Sequence, residues 1–409
     1  MRGALRIPGG SFPKLLLVHT CFLVFTGLPG VFLNTFLLGR SDDPNVALYY
    51  NGMFFFCGAV FMLLAAFAYR RLGAGVSMVI GISCYLLLYL LLILLGDRAA
   101  DYFLLMGLLS GMADGFYWIS YGSLLSSYTD LANRDSGLSV ISIAGAVVNL
   151  VVPLLSGALI SKIGGTKGYV TVFLLAFAVA VATGIGALFL PRPPRDKTPI
   201  RYGEAVRLIR RDKRLSASLA GQALKGVREG VFTFILSVLL YQLVKNELLI
   251  GFNTFLSAAA SILCYWLMNR FLRAGSRVRW MWLAVLVLSG CNLLTALWLA
   301  PGSIVLYSVI NAFFAGFVVN SAYGIYLDAL QVVPGASARR PELIACNECA
   351  LTAGRLTGIA VMAAVNLLSG GDPVWQCVGL LALTLSQFAA AALCRRSSSL
   401  LLQTETSKG

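Results

Sequence analysis

The sequence predicts an all-α membrane protein with twelve transmembrane helices in two parallel six-helix bundles, and three observations lead to this prediction. Apolar residues make up 58% of the 409 residues, charged residues make up 12%, and the mean hydropathy is +0.83. Apolar stretches recur along the whole chain, each long enough to cross ~30 Å of hydrocarbon as a helix. The chain also repeats itself loosely, with its second half resembling its first.

The repeat indicates two copies of one structural unit. Gly30-Val31-Phe32 returns 200 positions later as Gly230-Val231-Phe232, and Leu48, Phe55 and Arg70 are among the other residues that recur at this offset. A long repeat is typical of duplicated architectures, and in a membrane chain it is typical of transporters. Because the offset covers six apolar stretches, an even number, both copies should cross the membrane in the same direction.

Each apolar stretch is interpreted as a helix because lipid offers the backbone no hydrogen-bond partners. In chain order, the twelve predicted spans cover residues 14–39, 45–69, 73–96, 101–127, 136–162, 167–190, 215–242, 247–269, 279–300, 302–330, 342–368 and 372–394. The first span follows basic residues, as the apolar part of a secretory signal does. Its apolar run continues to Leu38, however, and its repeat counterpart lies in mid-chain, so we expect it to be retained.

The net charge of +15 is explained by membrane topology. The loops on one predicted side, together with both termini, hold 24 Lys and Arg residues, whereas the loops on the other side hold five. Basic residues concentrate on the cytoplasmic side of membrane proteins. We therefore expect a multi-pass protein of the plasma (inner) membrane with both termini in the cytoplasm, and the charge does not indicate a nucleic-acid partner.

Four segments follow from this pattern. They are an N-terminal six-helix bundle over 1–190, a basic cytoplasmic linker over 191–214, a C-terminal six-helix bundle over 215–394 and a cytoplasmic tail over 395–409. Within the linker, Tyr202 to Asp212 could form a short amphipathic helix on the anionic leaflet surface. The alternative is a plain linker that its charge keeps on the cytoplasmic side.

The loops after the second spans of the two halves carry related basic motifs. The second half has Asn269-Arg270-Phe271 with Arg273 close behind, and the first half has Tyr69-Arg70-Arg71 without an acid. With six spans, a basic central loop, six further spans and both ends inside, the chain resembles the Major Facilitator Superfamily over nearly its whole length. The resemblance implies a secondary transporter whose first, fourth, seventh and tenth helices line a central cavity near mid-membrane.

Charged side chains are few deep within the predicted spans, away from the span ends. The basic ones are Lys225, Arg228 and Arg355, the acids are Asp114, Glu229 and Glu348, and the only histidine of the chain is His19. A charge at this depth costs at least ~2.5–3.5 kcal/mol on insertion scales, so it should face a wet cavity or a partner. We take the three acids and His19 as candidates for proton coupling.

On the first span, His19 shares a helix face with Asn34, which is a candidate for substrate binding. His19 is either a proton carrier or a hydrogen-bonded structural residue. On the fourth span, an acid lies above an aromatic shelf that suits an organic ligand through stacking or cation–π contacts. The residues of this group are Asp114, Tyr117, Trp118 and Tyr121.

Asp114 is the preferred proton-coupling acid, and the alternative is an acid that stays ionised beside a basic residue. The stripe of Gly107, Gly111 and Gly115 on the same span predicts close packing against a neighbouring helix.

On the seventh span, Gln222, Lys225 and Glu229 fall on one arc of the helix and Arg228 flanks them. Lys225 and Glu229 are four residues apart and could form a purely structural pair. Arg228 lacks such a partner on its own helix, and a guanidinium suits a carboxylate or phosphate. Arg228 is therefore the stronger candidate for substrate contact.

The tenth and eleventh spans add polar candidates. Asn311 and Asn320 lie on the tenth span, and Glu348 and Arg355 lie on the eleventh. Glu348 and Arg355 are two helical turns apart, ~10.5 Å, which is too far for direct contact. Each must find another partner or a ligand.

The sequence therefore predicts a secondary transporter of a small organic solute, coupled to protons by the resemblance and working by alternating access. Three intramembrane cations favour a substrate with an anionic or zwitterionic group, and we expect export of a drug or metabolite. Proton-driven nutrient uptake is one alternative, and a sensor or scaffold that does not transport is another. The sequence contains no phosphate-binding loop, and one histidine cannot build a multi-histidine metal site. We expect that the protein is not an enzyme, that it binds no cofactor and that it is a monomer.

Overall fold

The computed structural model of the chain describes residues 10–128, 134–191, 200–271, 274–336 and 339–406. All regular structure in these residues is helical. The chain divides into two compact units: the first contains Met1–Lys197 and Lys245–Ala258, and the second contains Thr198–Val244 and Ala259–Gly409.

Seven helices build most of the first unit. They are α1 (Phe12–Gly27), α2 (Gly30–Leu38), α3 (Val46–Leu72), α4 (Ala74–Leu95), α5 (Phe103–Tyr128), α6 (Arg134–Ile163) and α7 (Gly165–Leu188). A short 3₁₀ helix, Gly96–Tyr102, joins α4 to α5. Helix α5 packs against α3 and α4, and α1 packs against α5, α6 and α7.

The second unit contains seven further helices and most of an eighth. They are α8 (Tyr202–Arg211), α9 (Lys213–Phe232), α10 (Ile235–Val244), α12 (Arg277–Leu297), α13 (Pro301–Val332), α14 (Arg340–Ser369) and α15 (Pro373–Thr406). Helix α11 (Glu247–Phe271) begins among the residues grouped with the first unit and ends among those of the second. Helix α9 packs against α13, α14 and α15.

Eleven segments of the described chain are long and apolar enough to cross a membrane. One of them, Ala74–Leu125, contains both α4 and α5 and corresponds to two of the predicted spans. The prediction of an all-α membrane protein with about twelve spans is therefore confirmed.

The first span of each sequence half is broken, which the sequence analysis did not predict. Within the first span, one helix ends at Gly27 and the next begins at Gly30, with Pro29 between them. Proline has no N–H to donate to the helix ladder. The seventh span breaks between Phe232 and Ile235. In both halves the repeated Gly-Val-Phe sequence lies at the break.

The predicted glycine stripe of the fourth span is confirmed as a packing surface between α5 and α3. A Cβ added at Gly107 would lie 2.6 Å from the carbonyl oxygen of Tyr50, and one at Gly115 would lie 2.7 Å from the backbone nitrogen of Met62. Small residues of this kind allow helix backbones to approach closely in membranes.

The helix that the sequence allowed within the basic linker, as the alternative to a plain linker, is present as α8. Residues 192–199 of the linker lie outside the described residues. Glu204 of α8 pairs with Arg201 at 2.9 Å and also with Arg339, and Arg339 lies 3.5 Å from Glu342. These four residues, which we call the α8–α14 ion network, hold α8 against the start of α14.

Helix α15 continues beyond the predicted end of the last span. It extends to Thr406, through most of the segment interpreted as a tail. Ser397 in this extension donates a hydrogen bond of 3.0 Å to the carbonyl oxygen of Arg214 in α9. The sequence analysis assigned no helix to this segment, because the serine-rich sequence after Arg396 gives no sign of this packing contact.

Candidate functional site

Four glycines bring α9 and α14 together in the second unit. A Cβ at Gly226 or Gly230 of α9 would overlap backbone of α14, and one at Gly354 or Gly358 of α14 would overlap carbonyl groups of α9. At Gly230 the nearest atom is the Cα of Arg355, at 2.6 Å. This approach places the charged residues of the two helices within reach of each other.

Glu229 lies at the centre of the charged group and contacts two cations. Its Oε2 is 3.0 Å from the Nζ of Lys225, and its Oε1 accepts a hydrogen bond of 2.5 Å from the Nη2 of Arg355. The structural pair that the sequence allowed between Lys225 and Glu229 is therefore formed. Arg355, which the sequence left without a partner on its own helix, finds one on α9.

Arg228 has a different environment, although it is next to Glu229 in the chain. Its Nη2 donates hydrogen bonds to the Oδ1 of Asn311 at 2.5 Å and to the hydroxyl of Tyr307 at 3.4 Å. Its guanidinium carbon lies 3.7 Å from the ring centre of Phe232. Arg228 is 5% exposed, and its Nε has no hydrogen-bond partner in the described part of the chain. It is thus a buried cation whose observed partners are all neutral.

A cavity of about 150 Å³ adjoins this group, which we call the cationic cavity. Lys225, Arg228 and Glu229 line it together with Asn311 and Gln387. Gln387 is fixed by a hydrogen bond of 3.2 Å from its Nε2 to the carbonyl oxygen of Lys225. Three sequence-predicted substrate residues thus share one cavity with a predicted proton-coupling acid.

The other candidates of the second unit are not among the residues that line the cationic cavity. Gln222 is buried on α9, and its Nε2 has no partner among the described residues. Asn320 is exposed and its side chain donates to the carbonyl oxygen of Gly316 on its own helix. Glu348 is half-buried and accepts a hydrogen bond of 3.4 Å from the Nδ2 of Asn347.

Asp114 in the first unit lies among aromatic side chains, as its sequence neighbours predicted. Its Oδ1 accepts hydrogen bonds from the hydroxyl of Tyr85 at 3.1 Å and from the Nε1 of Trp118 at 3.0 Å. Trp118 is exposed, whereas Asp114 is half-buried. Two neutral donors therefore hold the carboxylate in place.

His19 joins the same aromatic group from α1. Its Nδ1 is 2.9 Å from the hydroxyl of Tyr117, and its ring stacks on that of Tyr121 with a centroid distance of 4.0 Å. These contacts favour the interpretation of His19 as a hydrogen-bonded structural residue over that of a proton carrier. Asn34, further along the same span, accepts a hydrogen bond of 2.6 Å from the Nδ2 of Asn51.

Sequence reasoning missed several residues that shape the cationic cavity. The sequence analysis did not single out Phe232, Tyr307 and Gln387, because nothing in an apolar chain marks which of its many uncharged side chains lie beside a cavity. The glycine pairs of α9 and α14 could have been found, since each follows the GxxxG pattern that favours close helix packing. No group of three or more His, Cys, Asp or Glu side chains that could hold a metal ion occurs among the described residues.

Comparison with known proteins gives results of three kinds. The sequence profile of the Major Facilitator Superfamily matches residues 15–339. The uncharacterized protein YqgE of Bacillus subtilis (strain 168) is 23% identical over 348 residues, which cover 84% of this chain and 80% of that protein.

Two solved structures share the fold. The bacterial homolog of the human lysosomal transporter Spinster, in its inward-facing and unoccupied conformation, is 15% identical with a TM-score of 0.64, over 96% of this chain and 97% of that one. The nucleoside transporter NupG is 15% identical with a TM-score of 0.70, over 95% of this chain and 99% of that one.

Proposed function

Because the chain belongs to the Major Facilitator Superfamily, it is a multi-pass membrane transporter of a small solute and not an enzyme, and we propose that it carries an organic solute with an anionic or zwitterionic group, coupled to protons. The mechanism proposed is alternating access. The membrane proposed is the plasma membrane, with both termini in the cytoplasm.

The observation that supports the anionic group is the environment of Arg228. A buried cation is costly unless it is paired, and the observed partners of Arg228 are an amide, a hydroxyl and an aromatic ring. Phe232 and Asn311 hold the guanidinium in one orientation beside the cationic cavity. A carboxylate in the cavity would supply the missing negative charge through charge-assisted hydrogen bonds.

For proton coupling we propose Asp114 as the titrating acid. Glu229 contacts two cations, which stabilise its ionised form. Asp114 is half-buried and accepts hydrogen bonds from the neutral groups of Tyr85 and Trp118. Because two cations hold Glu229, we assign proton exchange to Asp114, and we assign Glu229 to holding Lys225 and Arg355 in place.

The proposal is tested with purified protein in proteoliposomes that carry an imposed pH gradient. Anionic, zwitterionic and cationic organic compounds are screened for binding by thermal shift, since a ligand of the folded state raises the melting temperature. Compounds that bind are then tested for flux. We expect an anionic or zwitterionic compound to bind and move, with both effects lost in Arg228→Gln.

The matched control is Arg40→Gln, which removes an arginine of similar burial that pairs with Asp97 in the first unit. Two results would contradict the preference for anions. One is binding that persists in Arg228→Gln, and the other is binding of cationic compounds alone. Binding without flux would instead favour a sensor. Solute flux in the same direction as the imposed proton gradient would indicate symport and would favour uptake over the export that we propose.

A further inference from the structure

The cationic cavity is too small to enclose a whole drug-sized solute. Its volume is about 150 Å³, whereas pockets that enclose drug-sized ligands measure roughly 300–1,000 Å³. An anionic head group fits such a space, but the remainder of the solute must lie elsewhere.

A second and larger cavity lies in the same unit, between the end of α12 and the start of α13. We call it the α12–α13 groove; its volume is about 490 Å³ and its lining is mostly apolar, including Leu294, Trp298 and Leu306. Trp298 is 75% exposed and Leu306 is 61% exposed. Both helices are long and apolar enough to cross a membrane, and Trp298 lies directly after the end of α12.

Tyr307 lies between the groove and Arg228 of the cationic cavity. Its side chain is 1% exposed and forms part of the groove wall, while its hydroxyl accepts the hydrogen bond from Arg228. The next turn of α13 shows the same division, because Ile310 lines the groove and Asn311 lines the cavity. One short stretch of α13 therefore borders an apolar groove on one side and a buried cation on the other.

We propose that the substrate is a single-chain amphiphile, whose carboxylate head binds Arg228 and whose hydrocarbon tail lies in the α12–α13 groove. This inference rests on the proposed function of the cationic cavity and names its substrate class. A carboxylate is favoured because a single guanidinium with neutral partners balances one negative charge. The tail belongs in the groove because its walls are mostly apolar and because Tyr307, which lines the groove, also contacts the head-group site through Arg228.

The test measures the affinity of straight-chain carboxylates from butanoate to dodecanoate for the purified full-length protein in one non-ionic detergent. Burial of each added methylene should raise the affinity about fourfold until the groove is filled. Alkyl trimethylammonium compounds with the same tails serve as the cationic series. Partition into micelles also rises with tail length, so the decisive comparison is between variants and not between compounds.

The groove-filling variant is Gly302→Trp. Gly302 lines the groove, and a Cβ added there meets no atom within 4 Å. Gly75→Trp is the matched control, because Gly75 is likewise the second residue of its helix, has equally open surroundings and lies in the first unit. Leu306→Trp provides a second groove variant if Gly302→Trp has a lowered melting temperature.

We expect Gly302→Trp to bind short carboxylates as the wild type does and to lose the rise in affinity with tail length, which Gly75→Trp keeps. Arg228→Gln should weaken the carboxylates of every length. A rise with tail length that survives in both groove variants would overturn the tail site, while binding of short carboxylates through Arg228 would leave the proposed function standing. Carboxylate binding that is independent of Arg228 at every length would contradict the proposed function itself.

Discussion

At the scale of single residues, the cationic cavity depends on the carboxylate of Glu229, which contacts two cations. Glu229 places one oxygen on Lys225 and the other on Arg355, so it joins α9 to α14. The side chains of all three residues are less than a quarter exposed. Removing one charge from such a group leaves the others buried without compensation.

Glu229→Gln should therefore destabilise the protein by about 3 kcal/mol, because two buried cations lose their counter-ion. The free energy of unfolding in mixed micelles measures this effect. The double variant Lys225→Met with Glu229→Gln should recover part of the loss, since only one cation then remains unbalanced. Equal stability of Glu229→Gln and the wild type would contradict the shared-carboxylate interpretation.

Asp114 provides the second prediction at this scale. Asp114→Asn keeps the acceptor oxygen for Tyr85 and Trp118 but cannot exchange a proton. We expect it to bind substrate with an affinity within about threefold of wild type, less than 1 kcal/mol, and to lose accumulation driven by a pH gradient. Glu348→Gln is the matched control. Gradient-driven accumulation that persists in Asp114→Asn would move the proton site to another acid.

The sequence predicted the polar residues of this site better than their partners. Arg228 could be singled out because no acid follows it at helical spacing, and the structure agrees that its observed partners are neutral. The contact of Arg355 with Glu229 joins positions 126 residues apart. Helical spacing contains no information about such a contact, which depends on how α9 and α14 pack.

At the scale of elements, the packing of α9 on α14 is set by glycines on both helices. Gly354→Ala would place a Cβ on the carbonyl oxygen of Ala223. We expect it to destabilise the protein by about 2 kcal/mol, as overpacking typically does, and to weaken substrate binding because Arg355 is the next residue. Melting temperature and ligand affinity measure the two effects.

Gly122→Ala in α5 is the control for this substitution, because a Cβ there meets no atom within 4 Å. Alanine favours a helix by about 1 kcal/mol over glycine, so this variant should be at least as stable as wild type. If both alanine variants behaved alike, close glycine packing would not explain the position of α14.

The α8–α14 ion network gives a prediction about pH. The hydrogen bond from Arg201 and the charge of Arg339 hold the pKa of Glu204 below its ordinary value. A carboxylate with a lowered pKa stabilises the folded arrangement above its unfolded pKa, about 4.3, and this contribution is lost as pH falls through the folded value. We expect hydrogen-exchange protection factors in α8 to fall below about pH 4.

Glu204→Gln should show low protection in α8 already at neutral pH, with a smaller further decrease on acidification. Glu247→Gln, which removes a carboxylate in the first unit, should leave α8 unchanged. Protection of α8 that is the same in Glu204→Gln and the wild type at neutral pH would show that apolar contacts alone hold this helix.

For the whole molecule, apolar stretches and their repeat were sufficient to predict the fold class, because lipid restricts the spanning backbone to helices. The breaks near Gly30 and Gly230 were not predicted, since hydropathy does not change there and only Pro29 marks the first. The extension of α15 to Thr406 was not predicted because hydropathy does fall there, although the helix continues. Residues 395–399 are all Arg or Ser, so the predicted apolar run ended before them.

The orientation of the chain is the prediction that belongs to this scale. The excess of Lys and Arg in alternate loops predicts that both termini and Gly203 lie in the cytoplasm, and that Pro44, Gly164 and Gly371 lie on the other side. In a bacterial host, alkaline phosphatase fused after Pro44, Gly164 or Gly371 should be active, because the enzyme matures only outside the cytoplasm. Fusions after Gly203 and after the full chain should be inactive, and a fluorescent protein at the last position should fluoresce. The reverse pattern would invert the topology, and it would place Trp298, which lines the α12–α13 groove, on the cytoplasmic side of the membrane. The same fusions therefore decide on which side of the membrane the Trp298 end of this groove lies.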